Sequence, residues 1–377
     1  MILLRYFGSL VAVCSVLLVA GCGGRPRQGV MVPVTEAAEG SSRVTMLVAT
    51  TRQRETSDPA QMFSGERAEA MSFASVTISI PPDGAHNIGE VQWPTSVPGD
   101  PRRDFVTVSA DYIEKKSFAN TISSIAKSTG RTKVLIFVHG FNNRFDDAVY
   151  RFAQIVYDSK APVIPVLFTW PSRADVRLRG YNYDRESASY SRDALEDLLS
   201  NLSSNTSVTE INLLAHSMGN WLTLEALRGR SMRAAQSAKN AKPDKVKNAL
   251  LVAPDVDVDV FRMQIQRMGG ARPRMALFLS QDDKALALSE KISGGMPRLG
   301  RIDPTIEPFR SELEKDGIMV FDLTTLKSSG DNAHSRAFDD VTSVMGMLQR
   351  RLSEGQMMAD REGEPENKLD IDLGLTR

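Results

Sequence analysis

Glu210-Ile211-Asn212-Leu213-Leu214-Ala215-His216-Ser217-Met218-Gly219 runs from an apolar segment into a short turn with a serine at its centre. Helical spacing follows at once, with Trp221, Leu222, Leu224, Ala226 and Leu227. Strand, sharp turn with serine, then helix is the setting of a nucleophile elbow. The demand on the neighbours is steric. The turn holds the serine in a strained backbone conformation, so the positions two before and two after it must be small. Gly219 meets this demand, and Ala215 meets it with one methyl group more than the usual glycine. An S-x-G triplet alone is common. The strand before it and the helix after it give this one its meaning.

Outward from the elbow, short apolar runs alternate with helix-length segments. Strands are expected at 134–138, 163–169, 210–214, 248–252, 274–279 and 318–323. Helices are expected at 146–157, 186–202, 217–237, 255–268, 286–293 and 335–352. Continuous apolar strands between helices imply a buried, mostly parallel sheet flanked by helices. Upstream, 44–50, 73–80 and 105–112 read as an antiparallel strand group with no strong helix among them. The fold class is therefore α/β, and catalytic groups belong at the carboxyl ends of the parallel strands.

A serine hydroxyl needs a base within hydrogen-bond reach, and the chain has four histidines. His86 lies in an early loop, where it braces the loop or faces solvent. His139 ends the run at 134–138. His216 is next to the serine, so its side chain points away from Ser217. His334 follows the last strand and precedes the last helix, where a base reaches back over the sheet. An aspartate must orient the imidazole. Asp283, just after the strand at 274–279, is the leading candidate, with Asp282 and Asp255 as alternatives. The oxyanion needs preorganised N–H donors. The Met218 amide, after the nucleophile, is one; the Phe141 amide, in His139-Gly140-Phe141-Asn142, is the other. The order Ser217, Asp283, His334 differs from the chymotrypsin and subtilisin orders and matches that of the α/β-hydrolases.

The N-terminus has one basic residue, Arg5, before an apolar run from Tyr6 to Ala20. That length suits a signal-peptide core and is short for a membrane span. Leu18-Val19-Ala20-Gly21-Cys22 resembles a bacterial lipobox, which makes 1–21 a lipoprotein signal peptide and Cys22 the lipidated mature terminus. Residues 22–43 then read as a flexible tether, 44–353 as the folded domain, and 354–377 as a disordered charged tail. The two cysteines are Cys14 and Cys22, so the folded part has no thiol and no disulfide. The 46 acidic and 46 basic side chains balance, which argues against nucleic acid as a partner. No P-loop, dinucleotide fingerprint or zinc motif is present, and neither cofactor nor metal is expected. Arg173, Arg177, Arg179 and Arg185 fall in an expected loop at 173–185.

Several stretches together resemble a bacterial esterase/lipase-like α/β-hydrolase family of largely unknown function. They are 137–143, Phe168-Thr169-Trp170-Pro171-Ser172, 183–188 and Ala215 to Asn220, with Ala253-Pro254-Asp255, 280–286 and Ala333-His334-Ser335. The resemblance covers about 44–350. It implies an α/β-hydrolase fold and Ser217, Asp283 and His334 as a triad. By analogy with this fold and motif a carboxylic ester or lipid is the expected substrate, and the lipobox places its hydrolysis at a membrane of the cell envelope. The chain departs from the family after the late histidine, where Ser335-Arg336-Ala337-Phe338 stands in place of aromatic residues. An acyltransferase, or a non-catalytic envelope lipoprotein that binds through this fold, are the competing expectations.

Overall fold

The computed structural model describes residues 29–36, 38–58, 60–236, 244–325 and 333–339. The signal peptide, Cys22, the charged tail and most of the expected last helix lie outside the described residues.

Nine strands form one sheet among the described residues: β1 (Ser42–Arg54), β2 (Phe63–Ile80), β3 (Val106–Ile113), β4 (Lys133–Val138), β5 (Ile164–Thr169), β6 (Glu210–His216), β7 (Val246–Val252), β8 (Arg274–Leu279) and β9 (Met319–Asp322). Their spatial order is β3-β2-β1-β5-β4-β6-β7-β8-β9. The β1–β2 and β2–β3 pairs are antiparallel, and every pair from β1–β5 onward is parallel. This is the α/β-hydrolase architecture expected above.

Both faces of the sheet are covered, which is why its strands read as unbroken apolar runs. Along β4, Val134, Ile136 and Val138 enter one core while Leu135 and Phe137 enter the other. The first core is closed by α1 (Lys115–Thr129), α3 (Leu178–Ser204), α4 (Gly219–Gln236) and α5 (Val258–Met268). The second is closed chiefly by α2 (Phe145–Ser159), with Leu286 of α6 (Lys284–Ile292).

Three expectations are corrected. Residues 115–129 form a helix that the sequence reading left out. The expected loop at 173–185 is helical from Leu178. The expected tether is docked on the domain at Val30 and Met31, both 5% exposed. The Val30 carbonyl accepts hydrogen bonds from Thr107 Oγ1 (2.7 Å) and the Tyr150 hydroxyl (2.8 Å).

Candidate active site

Ser217 sits one residue beyond β6, in the left-handed region at φ +52°. For a residue with a Cβ this costs about 1–3 kcal/mol and persists only where surroundings enforce it. The enforcement is visible. The Ser217 amide donates to the Val252 carbonyl (2.9 Å), and Asn220 Nδ2 donates to the carbonyls of Ser217 and Val252, both at 3.0 Å. A Cβ at Gly219 would stand 2.7 Å from the Val138 carbonyl oxygen, so the elbow packs directly on the end of β4. A Cβ at Gly140 would come 2.8 Å from Ser217 Cβ. The loop after β4 therefore passes immediately beside the serine.

That loop is held from below. His139 is buried and stacks on Trp170, with ring centroids 4.9 Å apart. Its Nδ1–H donates to the Gly140 carbonyl (2.9 Å), which leaves Nε2 to accept from the Trp170 amide (3.2 Å). Burial first, then the charge of Arg52, push its pKa well below the ordinary histidine value. It is a neutral strut. Trp170 is fully buried.

Arg52 on β1 escaped the sequence reading. It is 1% exposed, and its guanidinium donates to Thr169 Oγ1 (2.8 Å) and to the carbonyls of Ser172 (3.0 Å), Asn143 (2.7 Å) and Ser64 (3.2 Å). Burial lowers its pKa to about 10, against the pull of Asp184 and its neighbours. Asp184 supplies the opposite anchor. It accepts from Ser172 Oγ (2.5 Å) and from the amides of Asn142 (3.3 Å) and Arg173 (3.1 Å). These bonds fix residues 139–143 and do not use the Phe141 amide. The named bonds of the elbow likewise leave the Met218 amide unused.

The three candidate acids have different partners. Asp283 is fully buried, and its Oδ2 accepts from His334 Nδ1 at 2.7 Å. Its Oδ1 caps α6 by accepting from the amides of Ala285 and Leu286, both at 2.9 Å. Burial pushes this carboxyl up, but the His334 charge and these hydrogen bonds outweigh it, and the net shift is downward. Asp282 instead binds Arg336 in a two-point pair at 2.9 and 2.8 Å. Asp255 accepts from Ser289 Oγ (2.5 Å) and the Tyr181 hydroxyl (3.1 Å).

His334 is tied to the elbow as well as to its acid. His216 Nε2–H donates to the His334 carbonyl (3.1 Å), and the two rings lie 4.8 Å apart. Burial and the nearby His334 charge hold the His216 pKa down to about 3, so it is a neutral donor and not a base. For His334, burial lowers the pKa, but the Asp283 charge and hydrogen bond prevail and raise it. With Nδ1 engaged by Asp283, Nε2 is the ring nitrogen that does not meet the acid. The departure after His334 also has a place: Phe338 is buried and packs edge-on to His216 at 5.0 Å.

Several further polar residues have structural partners. His86 pairs with Asp158 (2.7 Å) and braces the early loop. Asp257 caps α5 through the amides of Asp259 and Val260. Arg173 pairs with Glu66, and Arg177 and Arg179 pair with Asp175.

The family profile for alpha/beta hydrolases of unknown function (DUF900) matches residues 114–351. The chain belongs to this family. No curated protein matches it significantly. Among solved structures it is similar to esterase B from Lactobacillus rhamnosis, with 10% identity, 93% of this chain and 94% of that one covered, and a TM-score of 0.38. Lipase B from Aspergillus fumigatus gives 15% identity, 60% and 53% coverage, and a TM-score of 0.37. Naproxen esterase from Bacillus subtilis gives 12%, 58% and 83%, and 0.30.

Proposed function

We propose that the chain is a serine hydrolase of carboxylic esters, held at a membrane of the bacterial envelope by lipid on Cys22. Ser217 Oγ attacks the acyl carbonyl while His334 Nε2 takes its proton. The oxyanion is met by the Phe141 and Met218 amides. His334 then delivers the proton to the leaving oxygen, and an acyl-Ser217 ester remains. Water attacks that ester by the reverse route, again with His334 as base. Asp283 keeps the imidazole in the Nδ1–H tautomer and stabilises its charged form.

The observation that carries this reading is the 2.7 Å Asp283–His334 pair, tied through His216 to a strained serine at φ +52°. Strain of this kind persists only where the surroundings enforce it, and it clusters at active sites. The membrane tether rests on the lipobox alone. Pre-steady-state hydrolysis of p-nitrophenyl butyrate tests the chemistry. A burst of one p-nitrophenol per chain, abolished in Ser217→Ala, is expected. Turnover that survives Ser217→Ala contradicts the assignment.

A further inference from the structure

A second buried charge stands next to the candidate triad. The Asp255 amide donates to the Ser217 carbonyl (3.3 Å), which places this residue against the elbow. Tyr181, whose hydroxyl donates to Asp255, packs edge-on against Phe141 with centroids 5.4 Å apart. Arg298 completes the group. Its side chain is 5% exposed, and its Nε lies 3.4 Å from Asp255 Oδ1.

The Arg298 guanidinium is poorly satisfied. Nε makes no hydrogen bond, and among the described residues no acceptor other than Asp255 meets the group. Arg52 is buried to a similar degree and has carbonyls or hydroxyls on all three nitrogens. Arg336 also leaves its Nε without a bond, but it places both Nη groups on Asp282. The Arg298 Nε is fully buried without a bond, and an orphaned donor on a charged group is costly and asks for an explanation. Holding the local backbone does not supply one. The segment around Arg298 is already fixed by the Leu299 amide on the Val256 carbonyl (2.8 Å) and the Gly300 amide on the Pro254 carbonyl (3.0 Å).

We propose that Asp255 orients Arg298 from its Nε side so that the Nη edge binds an anionic group of the substrate. The preferred substrates are then esters that carry a carboxylate or phosphate near the scissile bond. The planar fork of arginine suits two-point binding of either group. This inference rests on the serine-hydrolase reading, since it names the substrate class of that same site.

Two matched pairs of esters test it and separate the two sides of the scissile bond. The p-nitrophenyl monoester of glutaric acid is compared with p-nitrophenyl valerate, which places the charge on the acyl side. Then 1-butyrylglycerol 3-phosphate is compared with 1-butyrylglycerol, which places it on the alcohol side. The full chain is expected to favour the anionic member of one pair in kcat/KM. Arg298→Met should lower that anionic-to-neutral ratio roughly 10- to 100-fold, the worth of a hydrogen-bonded charge. Arg298→Lys, which keeps the charge without the fork, should recover part of it. Equal rates within both pairs in the unmodified chain overturn the inference, as does a ratio unmoved by either variant. If Ser217 reacts with a fluorophosphonate and no preference appears, only this inference falls. If Ser217 does not react at all, the hydrolase reading falls with it.

Discussion

Gly219→Ala measures how closely the elbow lies on β4. The added Cβ would stand 2.7 Å from the Val138 carbonyl oxygen and nearer still to that of His139. Both atoms are backbone at the end of β4, so no rotamer change relieves the overlap. Carbon–oxygen contacts settle at about 3.3–3.6 Å, so the nearer of the two oxygens requires the elbow to retreat by roughly 1 Å. Overpacking of this kind costs about 1–3 kcal/mol, and a backbone obstacle places the cost at the upper end. A domain of this size loses about 2–4 °C in Tm per kcal/mol, which gives a fall of roughly 6–12 °C. The retreat also carries Ser217 away from the loop at 139–141. A misplacement of about 1 Å is worth on the order of 100-fold in rate. Thermal unfolding followed by circular dichroism, with ester turnover on the same samples, reads both effects. Gly270→Ala is the control, because an added Cβ there meets nothing within 4 Å. A Gly219→Ala protein with unchanged Tm and unchanged turnover would refute the reasoning.

Asp283→Asn should lower kcat by about 10⁴-fold, the effect of losing the acid that fixes the histidine tautomer. Asp282→Asn, whose partner is Arg336, should cost far less; the reverse ranking on a p-nitrophenyl ester removes Asp283 from the site. Activity needs neutral His334, so kcat/KM should climb with pH through a value above the ordinary 6.5. In Asp283→Asn that limb should move to lower pH, and an unmoved limb contradicts the pairing. The same pair links stability to pH. The His334 share is complete below the ordinary histidine value and lost as pH rises through the raised one. The Asp283 share is complete above the ordinary carboxylate range and lost as pH falls through the lowered one. Cys22→Ser should release the protein from membranes into the soluble fraction after lysis, and continued sedimentation with membranes would overturn the lipid anchor.

The parallel core was legible because its inner strands are buried on both faces and read as continuous apolar runs. The elbow was legible for a related reason, since its small residues answer a local steric demand. The missed helix at Lys115–Thr129 buries only Phe118, Ile122 and Ala126, a stripe one residue wide set among serines, threonines and lysines. Such a stripe carries little periodic signal. The early start of α3 was hidden by Gly180, a poor helix former. It is needed there because a Cβ would come 2.6 Å from Asp175 Cβ. Arg52 was invisible for another reason. A lone arginine in a strand reads as solvent-facing, and its partners are backbone carbonyls and one threonine hydroxyl that no sequence pattern announces. The choice among Asp255, Asp282 and Asp283 also needed coordinates. All three follow strands, and only their partners tell them apart.

The central claim is that Ser217 is an activated nucleophile. Incubation of the folded chain with a fluorophosphonate, followed by peptide mass mapping, tests it most directly. The account predicts one adduct per chain, on the peptide containing Ser217, lost in Ser217→Ala and strongly slowed in His334→Ala. An unlabelled but folded chain, or an adduct on any other residue, would contradict it.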